Sequence, residues 1–233
     1  MNITLYPKLN NIHFKGFQED VKNAEEVNKE IHRMNLRSNT HIDRRRFERK
    51  LARKEGINVT ENRFFYKYLD EVSDRLWEIL NPIRKTLKRM ARNDEPYEDY
   101  MKTMIEMTNR HKVGNCGEMA AIAQYLLAKR GISSDMVDID IYNKKTNKPR
   151  KKGLNDHTFL VLNLREKASI DLPQTWGRES IIVDPWFGIV RRSNLALRQI
   201  NKLLHVNLDK EFIVFEKSNY GNIVDSYKNN WYT

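Results

Sequence analysis

The chain has 233 residues, of which 31% are charged and 39% hydrophobic, and its formal net charge is +11. No run of about 18 apolar residues occurs, which excludes a membrane-spanning helix. A single cysteine, Cys116, rules out an internal disulfide and suits a reducing compartment.

The first 110 residues carry 23 basic and 18 acidic side chains, the remainder 19 and 13. The positive excess is therefore spread along the chain. It biases the surface towards acidic partners without marking one basic domain. The N-terminal stretch MNITLYPKLNNIHF lacks the charged start and apolar run of a secretory signal. The expected location is the cytoplasm, or a host cytosol reached by export without a cleavable signal.

Pro7 and Gly16 break residues 1–17. From 18 to 34 the sparse apolar positions Val21, Ala24, Val27 and Ile31 step by three and four, which predicts a thin amphipathic helix. IDRRRFERKLARKEG reads as a strongly basic helix stopped at Gly56. Thr60 is a candidate cap for the next helical stripe: Phe64, Tyr68, Val72, Leu76, Ile79, Ile83, Leu87 and Met90. Pro82 interrupts this stripe, so it reads as one kinked helix or two abutting ones. A turn at RNDEPYEDY precedes a short helix over 100–107.

After His111 the pattern changes. A helix is expected over 117–130, ending at Gly131. SSDMVDIDIY alternates as a strand, and a basic loop follows. HTFLVLNL reads as a strand with Thr158, Leu160, Leu162 and Leu164 on one face. A polar loop over 165–180 leads to SIIVDPWFGIV, a strand stopped by Pro185. A helix capped by Ser193 or Asn194 and a last strand, EFIVFEK, complete the chain. The expected class is α+β, with a helical region over 1–105 and a mixed core over 106–233.

Cys116 stands at the start of the expected helix, flanked by Gly114 and Gly117. A helix N-terminus offers unpaired N–H groups and partial positive charge. It favours ionisation of a thiol and can stabilise an oxyanion on a substrate carbonyl. That makes Cys116 a candidate nucleophile; the alternative is a small buried core residue. A nucleophilic cysteine needs a base and an orienter for the base. His157 opens a strand beside the basic loop and shares a face with Phe159 and Val161. Asp184 ends an apolar strand just before Pro185, which holds it extended. Equally, His157 suits a surface loop junction and Asp184 a turn start. Asp156 competes as orienter, but adjacent strand residues point to opposite faces.

Taken together, GNCGEMAAIAQYLLAKRGISSDMVDI, DHTFLVLNL and IIVDPWFG resemble the transglutaminase-like branch of papain-type cysteine enzymes, over about residues 109 to 190. The resemblance implies a catalytic helix packed on an antiparallel sheet, behind an all-helical N-terminal extension. It implies Cys116 as nucleophile, His157 as general base and acid, and Asp184 as the group that fixes the imidazole. An upstream side chain often completes the oxyanion site in such folds, and Asn109 is the candidate here. The implied chemistry is acyl transfer through a thioester: a glutamine deamidase, a transglutaminase or a protease. Calcium-dependent members carry extra acidic loops; with no such cluster evident, neither a metal nor another cofactor is expected. The lone enzyme core beside an unassigned helical half is similar to bacterial effectors delivered into host cells.

The expected partner is a protein substrate, acidic if the run KKTNKPRKK steers it to the site. The absence of Gly-rich or aromatic motifs argues against nucleic acid for the basic helix. The competing class is an inactive binding module on the same fold. Trp176 and Trp186 could wall the cleft or be core residues.

Overall fold

The computed structural model describes residues 16–38, 63–150 and 156–218. The expected basic helix ending at Gly56 and the cap at Thr60 lie outside the described residues. Five helices and five strands are present among them: α1 (Phe17–Arg33), α2 (Arg63–Arg92), α3 (Tyr97–His111), α4 (Cys116–Lys129), β1 (Ser134–Asn143), β2 (Asp156–Leu162), β3 (Ile181–Asp184), β4 (Ile189–Arg192), α5 (Ser193–Leu203) and β5 (Glu211–Lys217). The protein is α+β, with one antiparallel sheet ordered β4-β3-β2-β1-β5.

The helices follow the apolar spacing, with instructive shifts. Ala24, Val27 and Ile31 are buried on α1, as the steps of three and four predict. α2 runs unbroken through Pro82, which sits on its exposed side. Its buried line is Leu76, Leu80, Ile83, Leu87 and Ala91, while Ile79 and Met90 are half-buried. The buried stripe is thus rotated from the expected one, because an α-helix selects positions by which neighbour covers them and not by hydrophobicity alone. α3 buries Tyr100, Met101, Met104 and Thr108. It ends at Lys112, held in the left-handed region at φ 55°.

α4 is covered nearly all round. Ala120, Ala121 and Ala123 join Met119, Ile122 and Leu127 in burial. These small side chains let α1 and the sheet approach closely, so a bulky residue at Ala120 would overpack by about 1–3 kcal/mol. One core lies between α1 to α4 and the inner sheet face, where Met136, Leu160, Leu162, Ile181 and Val183 meet them. The second lies on the opposite face, where Phe159, Val161, Ile139 and Ile182 meet Trp176 and the Ala196, Ile200 and Leu204 line of α5. β2 is buried on both faces, hence its continuous apolar run FLVL.

One strand is unexpected, and two expectations are corrected. The strand expected in SIIVDPWFGIV does stop before Pro185, since β3 ends at Asp184, but the chain then turns through Gly188, at φ 70°, into a partner strand, β4. β2 ends at Leu162, and Asn163 turns the chain at φ 57°, so Leu164 leaves the leucine face and packs in the second core. Arg192 is the N-cap of α5 and makes no side-chain capping bond, so neither Ser193 nor Asn194 caps it.

Candidate active site

Cys116 is the first residue of α4, half-buried, with a free thiol. A capping box fixes this helix start: Asn115 is the N-cap and Glu118 the N3 residue. Asn115 N–H donates to Glu118 Oε2 at 3.0 Å. Glu118, fully buried, also accepts from Arg84 of α2 at both oxygens, 2.6 and 3.0 Å. Ser38 Oγ donates to Asn115 Oδ1 at 2.9 Å. The loop before Cys116 is stitched to the chain after α1, since Arg37 N–H donates to Lys112 O and Gly114 N–H to Arg37 O. The first-turn donors beside the sulfur are the N–H groups of Cys116 and Gly117, which have no intrahelical partner.

His157 and Asp184 come together from neighbouring strands. The imidazole Nε2–H donates to Asp184 Oδ2 at 2.7 Å, and both side chains are shut off from solvent. The other oxygen, Oδ1, accepts from the N–H groups of Trp186 at 3.1 Å and Phe187 at 3.0 Å. Asp184 therefore both starts the turn and holds the ring, one oxygen for each task. Trp186 and Phe187 then pack on the imidazole, with ring centroids 4.9 and 4.8 Å away. Asp156 is exposed and takes no part in this bond.

The second ring nitrogen, Nδ1, is buried and makes no hydrogen bond among the described residues. Cys116 is the group that acts on the ring from elsewhere, by hydrogen-bonding tendency and by charge. Cys116 thus affects the ring, while Nδ1 makes no hydrogen bond among the described residues. Hydrogen bonds at such sites commonly tighten only when substrate is bound. Burial alone pushes the imidazole pKa down and is the largest single influence. The Asp184 charge and hydrogen bond, helped by Cys116, outweigh it and raise the pKa to about 10.

Next to this pair the sheet register brings Asp138 and Asp140 of β1 together with Asp156 of β2 and Glu216 of β5. Asp138 is steadied by a 2.7 Å bond from Thr158 Oγ1. Burial, then the charges of Asp156, Glu216 and Asp138, raise the Asp140 pKa to about 6. Among the described residues, no three ligand-type side chains are arranged to hold a metal ion.

Trp176 and Trp186 have separate places. Trp176 is fully buried in the second core and donates to Ser169 O, while Trp186 covers His157. Asn109 is exposed on α3 and accepts from Lys112 Nζ at 2.7 Å, so it is not at the site. In the basic loop, Lys144 donates to Leu208 O and Arg150 pairs with Glu211. Both are tied into the fold, and residues 151–155 lie outside the described set.

The capping box was legible in NCGE, an N-cap Asn with Glu three residues on, although the helix start drew attention only through its cysteine. Arg84 had no signal, because an arginine on a helix surface looks the same whether solvated or paired. No described helix is long and apolar enough to cross a membrane. No family model, curated protein or solved structure matches the chain.

Proposed function

We propose that this chain is a cysteine-dependent acyl-transfer enzyme with a papain-like, transglutaminase-like core, acting on protein amides as a glutamine deamidase or transglutaminase. One observation carries the reading. A buried imidazole is held by a carboxylate at Nε2, its Nδ1 makes no hydrogen bond among the described residues, and Cys116 is the other side chain that raises its pKa. A pKa raised to about 10 keeps His157 protonated at neutral pH, so the ring can give a proton to a leaving group.

The thiolate attacks the carboxamide carbon, forming the C–S bond and pushing charge onto oxygen. The first-turn N–H groups of α4 stand where such an oxyanion can be bound. His157 gives its proton to the departing nitrogen, and the C–N bond breaks to release ammonia and leave a thioester. Neutral His157 then takes a proton from water or from an incoming amine as that nucleophile attacks. The C–S bond breaks, and the proton returns to the imidazole–thiolate pair. Asp184 holds the ring in one orientation throughout, and the aromatic cover keeps water from the His157–Asp184 bond. A free thiol of this kind works in a reducing compartment, the cytoplasm or a host cytosol.

Incubation of candidate proteins with wild type and Cys116→Ala, read by mass spectrometry, tests the proposal. A Cys116-dependent one-dalton gain on glutamine marks a deamidase, and a glutamine–lysine crosslink marks a transglutaminase. Chain cleavage turns the reading to a protease. Iodoacetamide labelling of Cys116 that is indifferent to His157→Ala favours a binding module instead.

A further inference from the structure

The two parts of the proposed catalytic row stand on different elements, and one short segment touches both. The end of α1 reaches the β3–β4 turn, where His32 Nε2–H donates to Pro185 O at 2.8 Å. Six residues on, Ser38 Oγ donates at 2.9 Å to Asn115 Oδ1, the N-cap of the helix that Cys116 begins. Just before Ser38, Arg37 forms a parallel bridge with Val113. Its N–H donates to Lys112 O at 2.8 Å, and its carbonyl accepts from Gly114 N–H at 3.0 Å.

The approach is close at both ends. A Cβ on Gly188 would stand 2.9 Å from His32 Cε1, and one on Gly114 would stand 3.3 Å from Leu36 Cδ1. Gly114 lies two residues before Cys116 and Gly188 four after Asp184. Each part of the row therefore leaves room for the same segment. The segment is itself anchored. Ala24, Val27 and Ile31 bury one side of α1 in the first core. Near the start of α1, Asp20 Oδ2 accepts from Asn163 Nδ2 at 3.0 Å, just beyond the end of β2.

The His32 bond is not what holds α1 in place. His32 is exposed, and such a hydrogen bond adds little beside three buried apolar side chains. Its effect falls on the turn. The N–H groups of Trp186 and Phe187 are taken by Asp184 Oδ1, and Pro185 has no N–H. Among the described residues, no other hydrogen bond joins residues 185–188 to a helix. Pro185 directly follows Asp184, so the place of its carbonyl bears on the direction of the carboxylate that holds His157. A carbonyl accepts and cannot donate, so the His32 ring keeps this bond from Nε2–H in its neutral and its charged form.

We propose that His32 is a positioning residue for acyl transfer. Through Pro185 O it sets Asp184, and with it His157, against the Cys116 helix start that the same segment holds at Ser38. The inference rests on the acyl-transfer reading and gives the end of α1 a direct part in the geometry of the reaction.

Iodoacetamide alkylation of Cys116 at neutral pH tests it, in the full chain as wild type, His157→Ala and three His32 variants. The readout is the part of the rate that His157→Ala abolishes, with thermal unfolding run alongside. His32→Ala is expected to lower that part about ten-fold or more, whereas His32→Gln, whose amide nitrogen reaches about as far as Nε2, keeps it within about two-fold. His32→Asn is too short to reach Pro185 O and should behave as His32→Ala. An unchanged His157-dependent rate in His32→Ala, whatever its unfolding temperature, makes His32 a merely structural contact and overturns the inference while acyl transfer stands. His32→Gln as slow as His32→Ala overturns it too. Should His32→Ala not fold, the Gln and Asn variants decide, and equal rates in those two overturn it. A wild-type rate indifferent to His157→Ala overturns the acyl-transfer reading, and the inference falls with it.

Discussion

The two halves of the proposed catalytic row are held by opposite means. The cysteine half is half-exposed, and a polar network from three separate segments supports it: Arg84 of α2, Ser38 after α1, and the Asn115–Glu118 capping box. The imidazole half is dry. Two adjacent strands hold it together with a four-residue turn that supplies both the hydrogen-bonding carboxylate and the aromatic cover. A nucleophile must meet substrate, so its support comes from behind, through the backbone of the helix start. A base that must keep one orientation and a shifted pKa is better buried, where a paired charge acts strongly.

Breaking the dry half should do the most damage. Asp184→Ala removes the partner of a buried imidazole and the acceptor of two turn N–H groups. Loss of about 3–5 kcal/mol in stability is expected, measurable by denaturant unfolding. The gentler Asp184→Asn should keep the fold yet lower acyl-transfer rates by roughly 10³-fold or more, as orienter loss does in related triads. It should also move the His157 titration well below 10 in the thiol-alkylation pH profile. An unchanged profile would mean that Asp184 does not control the ring.

Breaking the polar half comes next. Arg84→Met leaves the buried Glu118 carboxylate without its cation and should cost about 3 kcal/mol or more. Arg84→Met combined with Glu118→Leu should recover much of that loss, since both charges are then gone. A double-mutant cycle checks the coupling. Additive effects would show that the pair does not act as a unit.

The pH dependence sharpens the contrast. The His157 pKa is raised on folding from about 6.5 to about 10. Its stabilising contribution is therefore complete below pH 6.5 and is lost as pH rises through 10. Thermal unfolding followed from pH 6 to 10 should show this decline, and His157→Phe should flatten it.

Asp140 also lowers stability as pH rises, but over a more acid window, because its charged form is the one the fold disfavours. Its pKa is raised from 3.8 to about 6, so ionising it costs stability progressively above pH 3.8, and in full above 6. Asp140→Asn should stabilise the protein at pH 7, on the order of 1 kcal/mol after allowance for its partial exposure. The gain should vanish below pH 4. The smallest effect is expected at Asn109, where Asn109→Ala should leave both stability and thiol reactivity unchanged.

Most helices and strands were legible because their periodicity survives in the linear chain: α1, α4, β1, β2 and β5 follow their apolar steps closely. The misread elements share a cause. In β3–β4 the stop at Pro185 was legible but the return strand was not, because the turn that leads into it is closed by Asp184 Oδ1 and permitted by Gly188. The end of β2 at Leu162 depends on one left-handed residue, Asn163, which the continuing leucine pattern hid. On α2 the choice between Ile79 and Leu80 as the buried position depends on which neighbours pack there.

The amino-acid order alone determined where a thiol meets a helix start, which strand bears an imidazole and which carboxylate precedes a proline, because these are local features a few residues long. It also determined the α+β character, through the change from helical to strand periodicity after residue 131. Only the tertiary structure decided that Nε2 of His157 meets Asp184, that Arg84 reaches Glu118 across 34 residues of sequence, and that His32 of α1 bonds to Pro185 O in the β3–β4 turn. Pairing and burial between distant segments depend on sheet register and on which face each helix turns inward, and neither is written in any short stretch of the chain.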